Sequence, residues 1–134
     1  MPPSVDSEMP SGIVLCIDQS QEMLDCERAF LESFGYTVLT ASSGGKGLEL
    51  ASIHSVDVVI LGYFVPGMNG QKVVVEMRRV RPRAPIILLT QGQGVPEQAL
   101  NLVDALVDKD SLASQLLPTI AHLHGRIPPP SFDA

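Results

Sequence analysis

The sequence predicts an α/β fold built on a single five-stranded parallel sheet, doubly wound, with helices on both faces. Three observations lead there. Short apolar runs of strand length alternate with segments whose apolar residues recur at helical spacing. The runs are apolar throughout rather than alternating, as strands covered on both faces must be. The chain has 134 residues, enough for one core and too few for a second domain.

The elements follow in order. Ile13–Ile17 is the first strand. Met23, Cys26, Phe30, Leu31 and Phe34 then mark the apolar face of a helix, with Ser20 placed to cap its start and Gly35 to end it. Tyr36–Thr40, short and β-branched, is the second strand. A weak helix runs from Lys46 to Ile53, its start loosened by Gly44, Gly45 and Gly47. Val56–Leu61 is the third strand and Val65–Gly70 a long turn. Val73, Val74, Met77 and Val80 line one face of the next helix, with Arg78 and Arg79 on the other. Pro85–Thr90 is the fourth strand. Glu97–Val103 allows two helical turns, and Ala105–Val107 is a minimal fifth strand. Leu112, Leu116, Leu117, Ile120 and Leu123 form the last apolar face, capped by Asp110 or Ser111, with a kink expected at Pro118. The domain is expected over 12–124, between a polar tail at 1–11 and a Pro-rich tail at 125–134.

Composition narrows the function. Hydrophobic residues are 45% and charged residues 18%, which excludes wholesale disorder. Nine Lys and Arg stand against fifteen Asp and Glu, a net charge of -6 that repels nucleic acid and anionic membrane as main partners. Cys16 and Cys26 are too few for a disulfide framework and read as small buried fillers in a reducing compartment. The start of the chain is not a signal peptide, and no apolar run approaches the ~18 residues that cross a bilayer, so a cytoplasmic protein is expected.

Ligands of doubly wound sheets bind beyond the carboxyl ends of the strands, at the point where strand order reverses. That rule selects Asp18 and Gln19, Gly62 to Phe64, Thr90 and Gln91, and Lys109. An acid, a hydroxyl and a lysine at three strand ends suit a phosphoryl or carboxylate ligand. A divalent cation takes carboxylates, and here only Asp18 is well placed, with Gln19 neutral and Gly62 bare. Neither Gly62 nor Gln91 supplies a nucleophile or a general base, so an enzyme is not expected.

At these residues the sequence resembles the receiver domain of bacterial response regulators, from Gly12 to about Leu123. Ile13-Val-Leu-Cys-Ile-Asp18 is similar to the family's first strand and acidic pair. Asp57-Val-Val-Ile-Leu-Gly62-Tyr-Phe-Val-Pro66-Gly-Met-Asn-Gly70 is similar to the stretch with the phosphoryl-accepting aspartate, and is the most specific match. Ile86–Thr90 and Val107–Lys109 resemble the strands that bring the hydroxyl and the lysine. The resemblance implies the flavodoxin-like, CheY-like receiver fold and a place in two-component or phosphorelay signalling. Its retained pocket residues are Asp18, Thr90 and Lys109.

Five departures then shape the expectation. Gly62 stands at the phosphoacceptor position and cannot form an acyl phosphate. Gln19 replaces the second acid, which in the family binds Mg²⁺ directly. Gln91 replaces a small residue after the hydroxyl, Leu106 the switch aromatic, and Asp110 the proline after the lysine. The segment from Thr90 to Lys109 is also shorter than is usual. The resemblance therefore implies a pseudo-receiver: no cofactor, no bound metal (Asp18 being only a weak ligand candidate), and no phosphorylation at the usual site. Its expected partner is a histidine kinase, a phosphotransferase or an output domain, and the last helix offers a face for a homodimer. The alternative is a small-anion or nucleotide sensor using Lys109 and Thr90.

Other features read as structural. Asp18 also fits a helix-capping role, Thr90 a local backbone bond, and Lys109 an ordinary solvated lysine. Tyr63 or Gln91 would fill the room left by Gly62. Asp18 as a substitute phosphoacceptor starts from the wrong strand. Gly44-Gly45-Lys46-Gly47 lacks both the first glycine and the Ser/Thr of a phosphate loop. His122 and His124, two apart on a helix, do not share a face and make a poor metal pair.

Overall fold

In the computed structural model, residues 12–62, 64–65, 68–90 and 100–123 are described. The expected tails and His124 lie outside them, as do Tyr63, Gln91 and the first three residues of the helix expected over Glu97–Val103, of which residues 101–103 form a turn and bend. β1 (Ile13–Ile17) pairs in parallel with β2 (Thr37–Ala41) on one side and β3 (Val58–Gly62) on the other. β6 (Ile86–Thr90) joins β3, and β7 (Ala105–Asp108) joins β6, again in parallel. The order is β2-β1-β3-β6-β7, so the direction of strand addition reverses beside β1. The carboxyl ends of β1 and β3 are where such a sheet leaves a crevice.

Alternation along the strands divides the core into two layers. Val14 and Cys16 of β1 face one side with Ile60 of β3, while Leu15 and Ile17 face the other with Leu61. The first side is covered by α1 (Gln21–Glu32) and α4 (Leu112–Leu123), the second by α2 (Gly44–Ile53) and α3 (Gly70–Val80).

The helix boundaries follow from local chemistry. Ser20 caps α1 as expected, its Oγ accepting from the Met23 N–H at 3.2 Å. Gly35 follows the helix at φ 95°, a left-handed conformation that glycine adopts without strain. α2 starts at Gly44, two residues before the expected Lys46, because Ser43 Oγ accepts from the Lys46 N–H. Gly47 does more than weaken this helix: a Cβ there would meet Ile17 Cγ1 at 2.7 Å, so the glycine lets α2 lie close on β1. α3 buries Val73, Val74 and Met77, and α4 buries Leu112, Leu116 and Ile120 and runs on through Pro118.

Four expectations need correction. Cys26 is exposed, so only Cys16 is a buried filler. Of the expected α1 face, Leu31 is buried and Met23, Phe30 and Phe34 pack partly buried against the core, but the fully buried stripe is Leu24, Glu27 and Leu31; apolar periodicity alone does not place a carboxyl inside. The stretch read as a turn contains a small antiparallel pair, β4 (Phe64–Val65) with β5 (Met68–Asn69), at the two-residue separation of a hairpin. Neither Asp110 nor Ser111 caps α4 directly. They belong to a 3₁₀ turn, Lys109–Ser111, started by Asp108, whose carboxylate accepts from the Asp110 N–H at 2.8 Å.

Candidate functional site

The end of β1 turns sharply into α1, and Asp18 makes that turn. Its N–H donates to the Ala41 carbonyl at 3.1 Å, continuing the ladder to β2 for one more residue. Its Oδ1 accepts from the Ser20 N–H at 2.9 Å, a turn that leads into the helix whose cap is Ser20, so Asp18 is not itself the cap. Its Oδ2 faces Lys109 Nζ at 3.0 Å, an ion pair whose angle misses hydrogen-bond alignment. Asp18 is 1% exposed and the Lys109 side chain 16%, so the two charges meet out of bulk water, where neither is tolerated alone. The turn and the ion pair thus use different oxygens of one carboxylate.

Gly62 ends β3 beside them. A Cβ on Gly62 would collide with Asp18 Oδ2 and lie 2.9 Å from Asp18 Cγ. The room vacated by the missing side chain is therefore held by Asp18; Tyr63 and Gln91, expected to fill it, lie outside the described residues. Thr90, buried, ends β6 one residue beyond Leu89, the register partner of Gly62. β7 then delivers Lys109 through its 3₁₀ turn. Asp18, Gly62 and Lys109 meet as one cluster, with Thr90 on the neighbouring strand end. Gln19 is exposed and Leu106 on β7 is 48% exposed.

One residue of this neighbourhood escapes the sequence reading. Glu27 on α1 is 1% exposed, and the Cys16 thiol is the hydrogen-bonding group beside its carboxyl. Burial pushes its pKa up to about 7; the nearby Cys16 thiol and Lys109 charge pull down, and the Asp18 charge pushes up. Burial, followed by the charge of Glu27, raises the Cys16 thiol well above its ordinary value. The available signal was spacing: Glu27 lies three residues after Leu24 and four before Leu31, on the stripe that faces the sheet.

At the pocket the described residues present one carboxylate, Asp18, to a divalent cation. Asp18 has both oxygens engaged, Gln19 adds no charge, and Gly62 adds no ligand. Among the described residues no three His, Cys, Asp or Glu side chains gather into a metal-holding group. No helix among them is long and apolar enough to cross a membrane.

Comparison with known proteins matches this geometry to one family. The profile of the response regulator receiver domain matches residues 14–117. The transcriptional regulatory protein GlrR of Escherichia coli (strain K12) is 31% identical over 113 residues, covering 79% of this chain and 25% of that protein. The response regulator SaeR of Staphylococcus aureus (strain USA300) is 34% identical over 77 residues, 58% of this chain and 33% of that protein. The chain thus spans only a quarter to a third of these regulators. Among solved structures, a response regulator receiver domain protein from Clostridium thermocellum superposes with a TM-score of 0.77 at 28% identity, over 86% of this chain and 95% of its own.

Proposed function

The chain belongs to the response regulator receiver domain family, and we propose that within two-component or phosphorelay signalling it works as a pseudo-receiver, a protein-interaction module that is not phosphorylated at position 62. The observation that carries this reading is the Asp18 carboxylate lying against Gly62 and paired with Lys109. A phosphoryl acceptor would need a carboxylate from position 62, and the space for one is filled. The lysine that would balance a phosphoryl group is already balanced by Asp18. With the Mg²⁺ ligands reduced to one engaged acid, no cofactor enters the mechanism. The surface presented to a histidine kinase, a phosphotransferase or an output domain is then fixed, or shifted only by the partner's own differential binding. The closed ion pair also counts against the anion-sensor alternative, because an anion would have to displace a buried carboxylate to reach Lys109.

The test is incubation of the chain with acetyl phosphate and Mg²⁺, read by intact mass. The expected result is an unchanged mass. A hydroxylamine-labile phosphoryl adduct sinks the reading, and mapping it to Asp18 would make that residue the acceptor.

A further inference from the structure

We propose that the carboxyl-terminal ends of α2 and α3 form a docking surface for an acidic segment of a partner protein, its carboxylates meeting Arg79, Arg81 and Arg83 and an aliphatic side chain covering Ile53. The charges of this chain are unevenly placed. Five of its nine Lys and Arg (Lys72, Arg78, Arg79, Arg81 and Arg83) lie between residues 72 and 83, with one acid, Glu76. The rest of the chain holds four cations against fourteen acids, so a basic patch stands on an acidic protein.

Two of these arginines also serve the fold. Arg78 Nη2 pairs with the Asp104 carboxylate at 2.7 Å and donates to the Leu102 carbonyl at 3.0 Å. Arg81 is held differently, Nε donating to the Ala51 carbonyl and Nη2 to the His54 carbonyl, both at 2.8 Å. Carbonyls fix the guanidinium without cancelling its charge, so a cation is pre-organised at the end of α2. Ile53 lies between the two residues that Arg81 grips and is 65% exposed, more than any other large hydrophobic among the described residues. The Arg79 side chain is 72% exposed, and its pair with Glu76 at 3.3 Å is a surface pair of little worth. Pro82 and Arg83 are exposed in the turn after α3. An exposed aliphatic side chain next to a fixed arginine is the composition that concentrates binding energy at protein interfaces.

Charge selects the occupant. A short acidic segment meets the patch alone and is steered to it. A nucleic acid reaches past the patch to the acidic remainder, and a second copy brings its own net charge of -6. α2 leads into β3 and α3 into β6, so this surface lies at the amino ends of those strands, away from Gly62 and Lys109 at the carboxyl ends. It therefore stands whether or not position 62 can be phosphorylated.

The experiment is an amide NMR titration of the full chain with a synthetic helical peptide carrying glutamates and a leucine on one face, and with the same peptide carrying glutamine for glutamate. We expect shifts at Ile53, Arg79, Arg81 and Arg83 with the glutamate peptide alone, and an affinity that falls as salt is raised. Arg79→Glu should weaken binding about tenfold, and Ile53→Ser should weaken it as well. An absence of shifts, shifts centred on Asp18 and Lys109, equal binding of the glutamine peptide, or undiminished binding by Arg79→Glu overturns the proposal. So does tighter binding of a single-stranded DNA oligonucleotide to the same residues, which would make the occupant a nucleic acid. The same shifts arising from protein concentration alone would make it a second copy, and overturn the proposal too. None of these outcomes bears on the mass test of position 62.

Discussion

Beneath α2 and α3 the described core is an apolar layer of Leu15, Ile17, Leu61, Val73, Val74 and Met77, with Thr90 at its rim, and Gly47 lets the helix lie close on it. Beneath α1 and α4 the same sheet carries a buried thiol, a buried carboxyl beside it, and at its rim the Asp18–Lys109 pair. Both layers bury comparable aliphatic side chains, so both can hold the fold. Only the second accepts titratable groups at a cost in stability, and those groups surround the switch point of the sheet. Both faces thus supply scaffold, and the titratable groups gather on one of them.

The largest test of that contrast is Leu61→Ala, in the apolar layer. Leu61 is fully buried, and its truncation leaves a cavity between tightly packed neighbours, so unfolding free energy should fall by about 3–4 kcal/mol in urea titrations. The loss should be the same at pH 5 and pH 8, because the described residues that form its cluster are apolar. A pH-dependent loss would mean that the two layers are coupled and the contrast is false.

The α1 side should behave in the opposite way. Glu27 titrates at about 7 in the fold against an ordinary value of 4.5. The folded state therefore holds a proton that the unfolded state has released across that window, and stability must fall as pH rises from 4.5 to 7. The shift corresponds to about 3 kcal/mol at the upper end of the window. Subtracting the stability profile of Glu27→Gln from that of the wild type isolates this contribution. A flat difference would show that Glu27 ionises in the fold as it does in solution.

That asymmetry also explains what could be read from the sequence. The strands were legible because each is apolar throughout, and the strand-end rule then picks out Asp18, Gly62, Thr90 and Lys109 from residue order alone. The apolar faces of α3 and α4 were legible for the same reason. α1 was legible only in part: Met23, Phe30, Leu31 and Phe34 pack against the core, but the stripe includes a carboxyl, and a hydropathy reading turns Glu27 outward and Cys26 inward. Nor could the sequence say what fills the room at Gly62. That Asp18 reaches across from β1 depends on which rotamer its neighbours permit, information carried by packing rather than by residue type.

Gly62→Ala probes that packing directly. Its Cβ would collide with the Asp18 carboxylate, so either β3 shifts or Asp18 leaves Lys109, at a cost of about 2 kcal/mol. Adding Asp18→Ala removes the collision, and the double variant should then lose less than the sum of the two single losses. Strict additivity would mean that the two positions do not share the space, and the central observation behind the pseudo-receiver reading would go with it.

The smallest effect separates the layers at their helix caps. Ser20 and Ser43 make the same bond, each accepting an N–H three residues on at 3.2 Å, so Ser→Ala at either should cost about 1 kcal/mol globally. Locally the two should differ. α1 keeps a second anchor, because Asp18 still accepts from the backbone N–H of residue 20, and Glu22 in its first turn favours the helix dipole. α2 has no acid in its first turn and carries Gly44, Gly45 and Gly47, each unfavourable to helix. Amide exchange in the first turn of α2 should therefore accelerate in Ser43→Ala by more than that of α1 does in Ser20→Ala. Equal acceleration would mean that Asp18 contributes nothing to holding α1, leaving its carboxylate free to act in the pocket alone.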